Sequence, residues 1–121
     1  MARLRALICG LDNFRCFEEL WAAGYSVDRC ENEYELVRWL LHGKATDLIC
    51  ILESPMRPLD RDSLALVKGS TPVPLVLFRA AGHANGKGMW NLEVPPNTPP
   101  QDWLEHIQVL MSRSPGTESE A

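Results

Sequence analysis

The sequence contains no run of about eighteen uninterrupted apolar residues, which a membrane-spanning helix would need. Its first residues, Met1-Ala2-Arg3-Leu4-Arg5, lead into only a short apolar stretch before Gly10 and Asp12. Neither a membrane span nor a secretory leader is read from it, and a cytoplasmic location is expected. An excess of basic charge is also missing. Twelve Lys and Arg stand against sixteen Asp and Glu, for a formal net charge of −4. The basic residues are scattered, so no nucleic-acid surface is expected and a protein partner is the default. The four cysteines, Cys9, Cys16, Cys30 and Cys50, form no C-x-x-C pair. Three of them fall inside apolar segments, which reads as reduced, buried thiols rather than metal or redox chemistry. His42, His83 and His106 lie in separate segments without an H-E-x-x-H or Cys/His cluster, and are expected at the surface. There is no G-x-S-x-G elbow, and the glycines between 82 and 88 neither follow a strand nor open a helix, as a nucleotide-binding loop must. No catalytic group, metal site or cofactor is therefore expected, and the chain does not read as an enzyme.

What is present is one domain's worth of chain, 121 residues with 45% hydrophobic composition. Ala6-Leu7-Ile8-Cys9 predicts a first strand buried on both faces and ended by Gly10. Asp12 or Asn13 is a candidate cap for a first helix carrying Phe17, Leu20 and Trp21, stopped by Gly24. Residues 25–30 alternate polar and apolar, as a strand near the sheet edge would. A second helix follows with Tyr34, Leu36, Val37 and Leu40, closed by Gly43. Residues 47–52 are the most apolar strand candidate and predict the central strand. Asp62 or Ser63 starts a third helix through Leu64, Leu66 and Val67, ended by Gly69, and residues 72–78 form a fourth strand. Residues 80–88 read as a loop with no helix, and residues 89–94 as a short fifth strand. Thr98-Pro99-Pro100-Gln101 has the pattern of an N-cap Thr, early prolines and a Gln three positions on, and opens a closing helix. Its stripe is Trp103, Leu104, Ile107, Leu110 and Met111. Residues 1–112 are thus expected to form the domain, with 113–121 a disordered tail or linker.

Strands alternating with helices predict an α/β fold, an open parallel sheet with helices on both faces. Ligands in such sheets bind at the carboxyl ends of the strands, near the point where strand order reverses.

The succession Gly24-Tyr25-Ser26-Val27, Cys30-Glu31-Asn32-Glu33-Tyr34-Glu35-Leu36-Val37, Thr46-Asp47-Leu48-Ile49-Cys50-Ile51-Leu52 and Pro72-Val73-Pro74-Leu75-Val76-Leu77 resembles the receiver (CheY-like) domain of bacterial response regulators. The resemblance runs over roughly residues 4–111 and rests on segment order and hydrophobic pattern. It implies the flavodoxin-like three-layer sandwich with strand order 2-1-3-4-5, here with the fourth helix missing or reduced to a loop, and a role in two-component phosphorelay signalling. In that family an acidic pair after the first strand holds Mg²⁺, and an Asp ending the third accepts the phosphoryl group. A Thr or Ser ends the fourth strand, and a Lys followed by Pro ends the fifth.

This chain departs at nearly every one of these positions. Gly10, Leu11 and Asp12 leave at most one carboxylate for a hard cation that takes several oxygen ligands. The acceptor position falls on Leu52 or Glu53, the hydroxyl position on Arg79 or Ala80, and the Lys position on Val94 ahead of Pro95-Pro96. The resemblance thus implies a degenerate phosphorylation pocket of Asp12, Leu52, Glu53, Arg79 and Val94, with no metal. Asp12 reads as a remnant of the acidic pair or as the first helix's cap. Glu53 and Arg79 read as an ion pair on adjacent strands or as solvated rim residues. Trp90 and Trp103 read as core or as an exposed interface patch, and Trp21 and Trp39 as helix faces docked on the sheet. The expected function is a phosphorylation-independent signalling module that binds a regulator, kinase or output domain, or a second copy of itself. The alternatives are a small flavodoxin-like enzyme or redox protein, and a receiver phosphorylated by another route, such as Ser54.

Overall fold

The apolar runs become strands because both of their faces are covered. In the computed structural model, which describes residues 4–10, 15–42, 46–53, 61–79 and 90–112, strands β1 (Arg5–Cys9), β3 (Leu48–Leu52) and β4 (Leu75–Phe78) are buried at nearly every position. β2 (Ser26–Cys30) mixes buried with exposed and half-buried residues and stands at a sheet edge. With β5 (Leu92–Val94) they form one parallel sheet of five strands in the order β2-β1-β3-β4-β5. Helices α1 (Cys16–Ala22), α2 (Glu33–Leu41) and α3 (Arg61–Ser70) follow β1, β2 and β3, and α4 (Pro100–Ser112) follows β5. This is the flavodoxin-like order expected. No helix between β4 and β5 is found among the described residues, and residues 80–89 lie outside them.

Alternation along each strand divides the core in two. Ala6, Ile8, Leu48, Cys50, Leu52, Val76, Phe78 and Val94 meet α1 and α4 through Cys16, Leu20, Trp103 and Ile107. Leu7, Cys9, Ile49, Ile51, Leu75 and Leu77 meet α2 and α3 through Leu36 and Val67. All four cysteines are buried thiols.

Aromatic placement corrects two expectations. Trp103 is 1% exposed and packs edge-to-face on Phe78, with ring centroids 5.1 Å apart. It is core and does not belong to an interface patch. Trp90, half-buried, packs against the opposite core, so the sheet separates the two indoles. Trp21, expected against the sheet, is 53% exposed. The inward positions of the short α1 are taken by Cys16 and Leu20, and the residue after Leu20 is turned about 100° away. Trp39 does dock, and its indole N–H donates to Thr46 Oγ1 at 3.2 Å.

The helix boundaries also differ from expectation. The N-cap of α1 is Arg15, in the left-handed region at φ 58°, with no side-chain cap. It is neither Asp12 nor Asn13, both of which lie outside the described residues. Arg15 instead pairs with Glu18 at 2.7 Å. Asn32 caps α2 by accepting from the Glu35 N–H, while the Glu35 carboxylate accepts from the Glu31 N–H. Thr98 is not the cap of α4. Its hydroxyl donates to the Pro95 carbonyl at 2.7 Å, and the Pro99 carbonyl accepts from the Asp102 and Trp103 N–H groups. Gly69 lies within α3 rather than ending it.

Gly10, just past β1, has φ +112°, and a Cβ there would stand 2.7 Å from the Leu52 carbonyl oxygen. The exit of β1 thus presses against the end of β3. Gly24 shares the left-handed backbone at φ +103°, but nothing lies within 4 Å of its Cβ position. Gly10→Ala is therefore expected to lose more stability than Gly24→Ala, which carries only the backbone cost of about 1 kcal/mol. Trp103→Ala is expected to cost about 3–5 kcal/mol by emptying the core beneath α4. Urea denaturation followed by far-ultraviolet circular dichroism checks both.

Candidate functional site

The carboxyl rim of the sheet is built by backbone bonds that continue the ladders one residue past each strand. The Gly10 N–H donates to Cys30 O at 3.1 Å, the Glu53 N–H to Phe78 O at 2.9 Å and the Arg79 N–H to Val94 O at 2.9 Å. Glu53 and Arg79 therefore sit side by side on neighbouring strands, one position past Leu52, Phe78 and Val94, while Gly10 continues β1 beside Leu52. The rim residues singled out from the sequence are brought together, except Asp12, which lies outside the described residues.

Side-chain direction splits these residues into two kinds. Leu52 pairs in register with Phe78, and Phe78 with Val94. The three form an apolar row 4% exposed or less, turned toward α1 and α4 and covered by Trp103. Gly10 closes onto the end of this row at Leu52. A buried alkyl group offers neither a nucleophilic oxygen nor a metal ligand.

Arg79 is the polar exception. It is 4% exposed, so the reading of a solvated rim residue does not hold for it. Strand alternation places it with Leu77 and Glu93 on the α2/α3 side. Its Nε lies 3.3 Å from Glu93 Oε2, and the other carboxylate oxygen of Glu93 accepts from the Trp90 indole N–H at 3.2 Å. A guanidinium removed from water needs such a partner, because the charge alone is costly to bury. The carboxylate that meets Arg79 at this distance belongs to Glu93 on β5, which the sequence reading did not single out. The signal was available: Leu92-Glu93-Val94 alternates, and Arg79 lies two residues beyond Leu77, whose register partner is Glu93. Glu53, on the adjacent strand end, is half-buried.

Asn91 is a second residue that sequence reasoning missed. Its side-chain oxygen accepts from the Leu75 N–H at 2.8 Å and from Lys68 Nζ at 3.4 Å, and its own N–H donates to Leu75 O. It ties the start of β5 to β4 and α3. His42 and His106 are exposed, while His83, Ser54 and the 113–121 segment lie outside the described residues. Among the described residues no group of three or more His, Cys, Asp or Glu side chains is arranged to hold a metal, and no helix is long and apolar enough to cross a membrane.

No protein-family model matches the sequence, and no curated protein matches it. Solved structures do match. The signal receiver domain of an HD-domain-containing protein from Pseudomonas fluorescens superposes with a TM-score of 0.79 at 13% identity, covering 100% of this chain and 96% of that one. A CheY-like response regulator receiver domain protein from Methanospirillum hungatei gives 0.72 at 16% identity, covering 99% and 100%. A response regulator receiver modulated diguanylate cyclase from Pelobacter carbinolicus gives 0.71 at 22% identity, covering 98% and 99%. At such identities the likeness concerns architecture: the chain has the CheY-like receiver fold, with an apolar row and a buried Arg79 paired with the half-buried Glu93 at its carboxyl rim.

Proposed function

We propose that this chain is a signal-transduction module of the response-regulator kind that works by binding another protein, a regulator, kinase or output domain, without being phosphorylated. The observation that carries the reading is the apolar row at the rim. The resemblance puts the phosphoacceptor at Leu52 or Glu53 and the phosphate-balancing Lys at Val94. Leu52 and Val94 are core residues, and the backbone of Gly10 stands where the acidic pair would begin. The resemblance puts the switch hydroxyl at Arg79 or Ala80, and Arg79 is buried and engaged by Glu93. The Arg79–Glu93–Trp90 chain of contacts holds the ends of β4 and β5 in one arrangement, and this favours a module set in a single state over one that rearranges. In this reading the domain is not an enzyme and binds no cofactor or magnesium, and it works in the cytoplasm.

Two experiments test this. Amide NMR spectra recorded without and with Mg²⁺ plus beryllofluoride, which mimics the phosphoryl group, are expected to coincide. Shifts gathered around Asp12, Glu53 and Arg79 would overturn the reading. The fixed state is tested by a double-mutant cycle. Arg79→Met is expected to cost about 2–3 kcal/mol by leaving the Glu93 carboxylate without its cation, and adding Glu93→Gln to recover about 1 kcal/mol of that. Simple additivity of the two losses in urea denaturation would mean that the pair holds nothing in place.

A further inference from the structure

Two of the buried thiols are brought together by strand register. Cys9 ends β1 and Cys30 ends β2, and the two are Cα partners in the parallel ladder. Neighbouring strands stand about 4.8 Å apart, inside the span of roughly 4.4–6.8 Å over which a disulfide joins two Cα atoms. Both side chains turn to the same face of the sheet, into the core beneath α2 and α3. Their Cβ atoms therefore lead the same way, as a disulfide requires. The other two cysteines are placed differently. Cys50 lies on the opposite face with Ile8 and Val76 as register partners, and Cys16 packs from α1 on that same side.

One member of the pair is reachable from solvent. Cys30 stands on the edge strand and lines a surface groove of about 370 Å³ walled by β2 and α2. Cys9 lies behind it on the inner strand, 2% exposed against 7% for Cys30. A small oxidant that enters the groove meets the Cys30 sulfur first, and the thiol next to it across the ladder is Cys9.

We propose that Cys9 and Cys30 are a modification site, oxidised by a hydroperoxide to a reversible disulfide that clips the edge strand β2 to β1 at the carboxyl rim. With hydrogen peroxide, the Cys30 thiolate attacks one oxygen. An S–O bond forms, the O–O bond breaks, and the departing hydroxide takes the thiol's proton and becomes water. The Cys9 thiolate then attacks the sulfenic sulfur of Cys30. The S–S bond forms, the S–O bond breaks, and the second hydroxide takes the Cys9 proton. Two thiols and one peroxide thus give one disulfide and two waters. The bond closes a loop that contains all of α1. It lies beside Gly10, whose N–H donates to Cys30 O at 3.1 Å and whose backbone presses on Leu52. Oxidation fixes the β1–β2 end of the rim and a thiol reductant releases it. The site goes beyond the signalling reading and does not depend on it.

The test treats the full chain with hydrogen peroxide, unfolds it, blocks the remaining thiols with N-ethylmaleimide and digests it with trypsin. Cleavage after Arg5, Arg15, Arg29, Arg38 and Lys44 leaves each cysteine on a different peptide, so mass spectrometry reads the linkage directly. The expected product joins residues 6–15 to residues 30–38 and is two hydrogen masses lighter than the reduced pair. Cys16 and Cys50 are expected to be blocked, and all four thiols to return after dithiothreitol. In urea, where no register exists, the same treatment is expected to scatter bonds among the four cysteines, with Cys9–Cys16 favoured as the shorter loop. The amide shifts that accompany oxidation of the folded chain are expected to stay near the ends of β1 and β2. Cys9→Ser removes the second thiol and is expected to leave Cys30 as a sulfenic acid that dimedone labels, whereas Cys30→Ser is expected to leave Cys9 unlabelled. The linkage map uses the unaltered chain, so it stands even where a serine variant fails to fold. A Cys16–Cys50 bond, a bond between two chains, sulfinic acid with no bond, the same bond pattern in urea, or collapse of the whole amide spectrum on oxidation would overturn the proposal.

Discussion

Double-sided burial of the three central strands governs the rest of the molecule. With helices on both faces of β1, β3 and β4, a side chain at the end of these strands has to be apolar or has to bring its own partner, because water reaches it poorly. Leu52, Phe78 and Val94 satisfy the first condition on the α1/α4 side. Arg79 satisfies the second on the α2/α3 side by pairing with Glu93, which in turn holds the Trp90 indole. Among the described residues, the rim at these positions therefore continues the core.

The same constraint explains where the aromatic residues go. Trp103 closes the α1/α4 layer over Phe78, while Trp90 and Trp39 pack at the margin of the other layer with their indole nitrogens bonded. Trp21 is left outside because α1, only seven residues long, has too little inward surface to bury a third large side chain beside Cys16 and Leu20. β2 escapes double burial by standing at the edge, and charged residues there, Asp28 and Arg29, limit indiscriminate strand pairing.

Much of this was legible in the chain itself. Apolar runs such as Leu48-Ile49-Cys50-Ile51-Leu52 have to be strands buried on both faces, and strict alternation of strand and helix leaves few topologies once right-handed crossovers are required. Which residues flank the rim follows from the same ordering. The boundaries set by single hydrogen bonds were less legible. Thr98 could have capped α4 but donates to Pro95 instead, and α1 begins after Arg15 without a side-chain cap. Gly69 is accommodated inside α3, where nothing lies within 4 Å of its Cβ position.

The sequence by itself determined the class of fold, because alternating strands and helices are written in hydrophobic period, while the strand order 2-1-3-4-5 was what the resemblance to receiver domains implied. Only the tertiary structure decided that Arg79 is buried, that Glu93 pairs with it, and that Trp103 is core and Trp21 is not. Each of these depends on which face a side chain takes and on what another strand or helix brings to that face, and those distances do not exist until the sheet has closed.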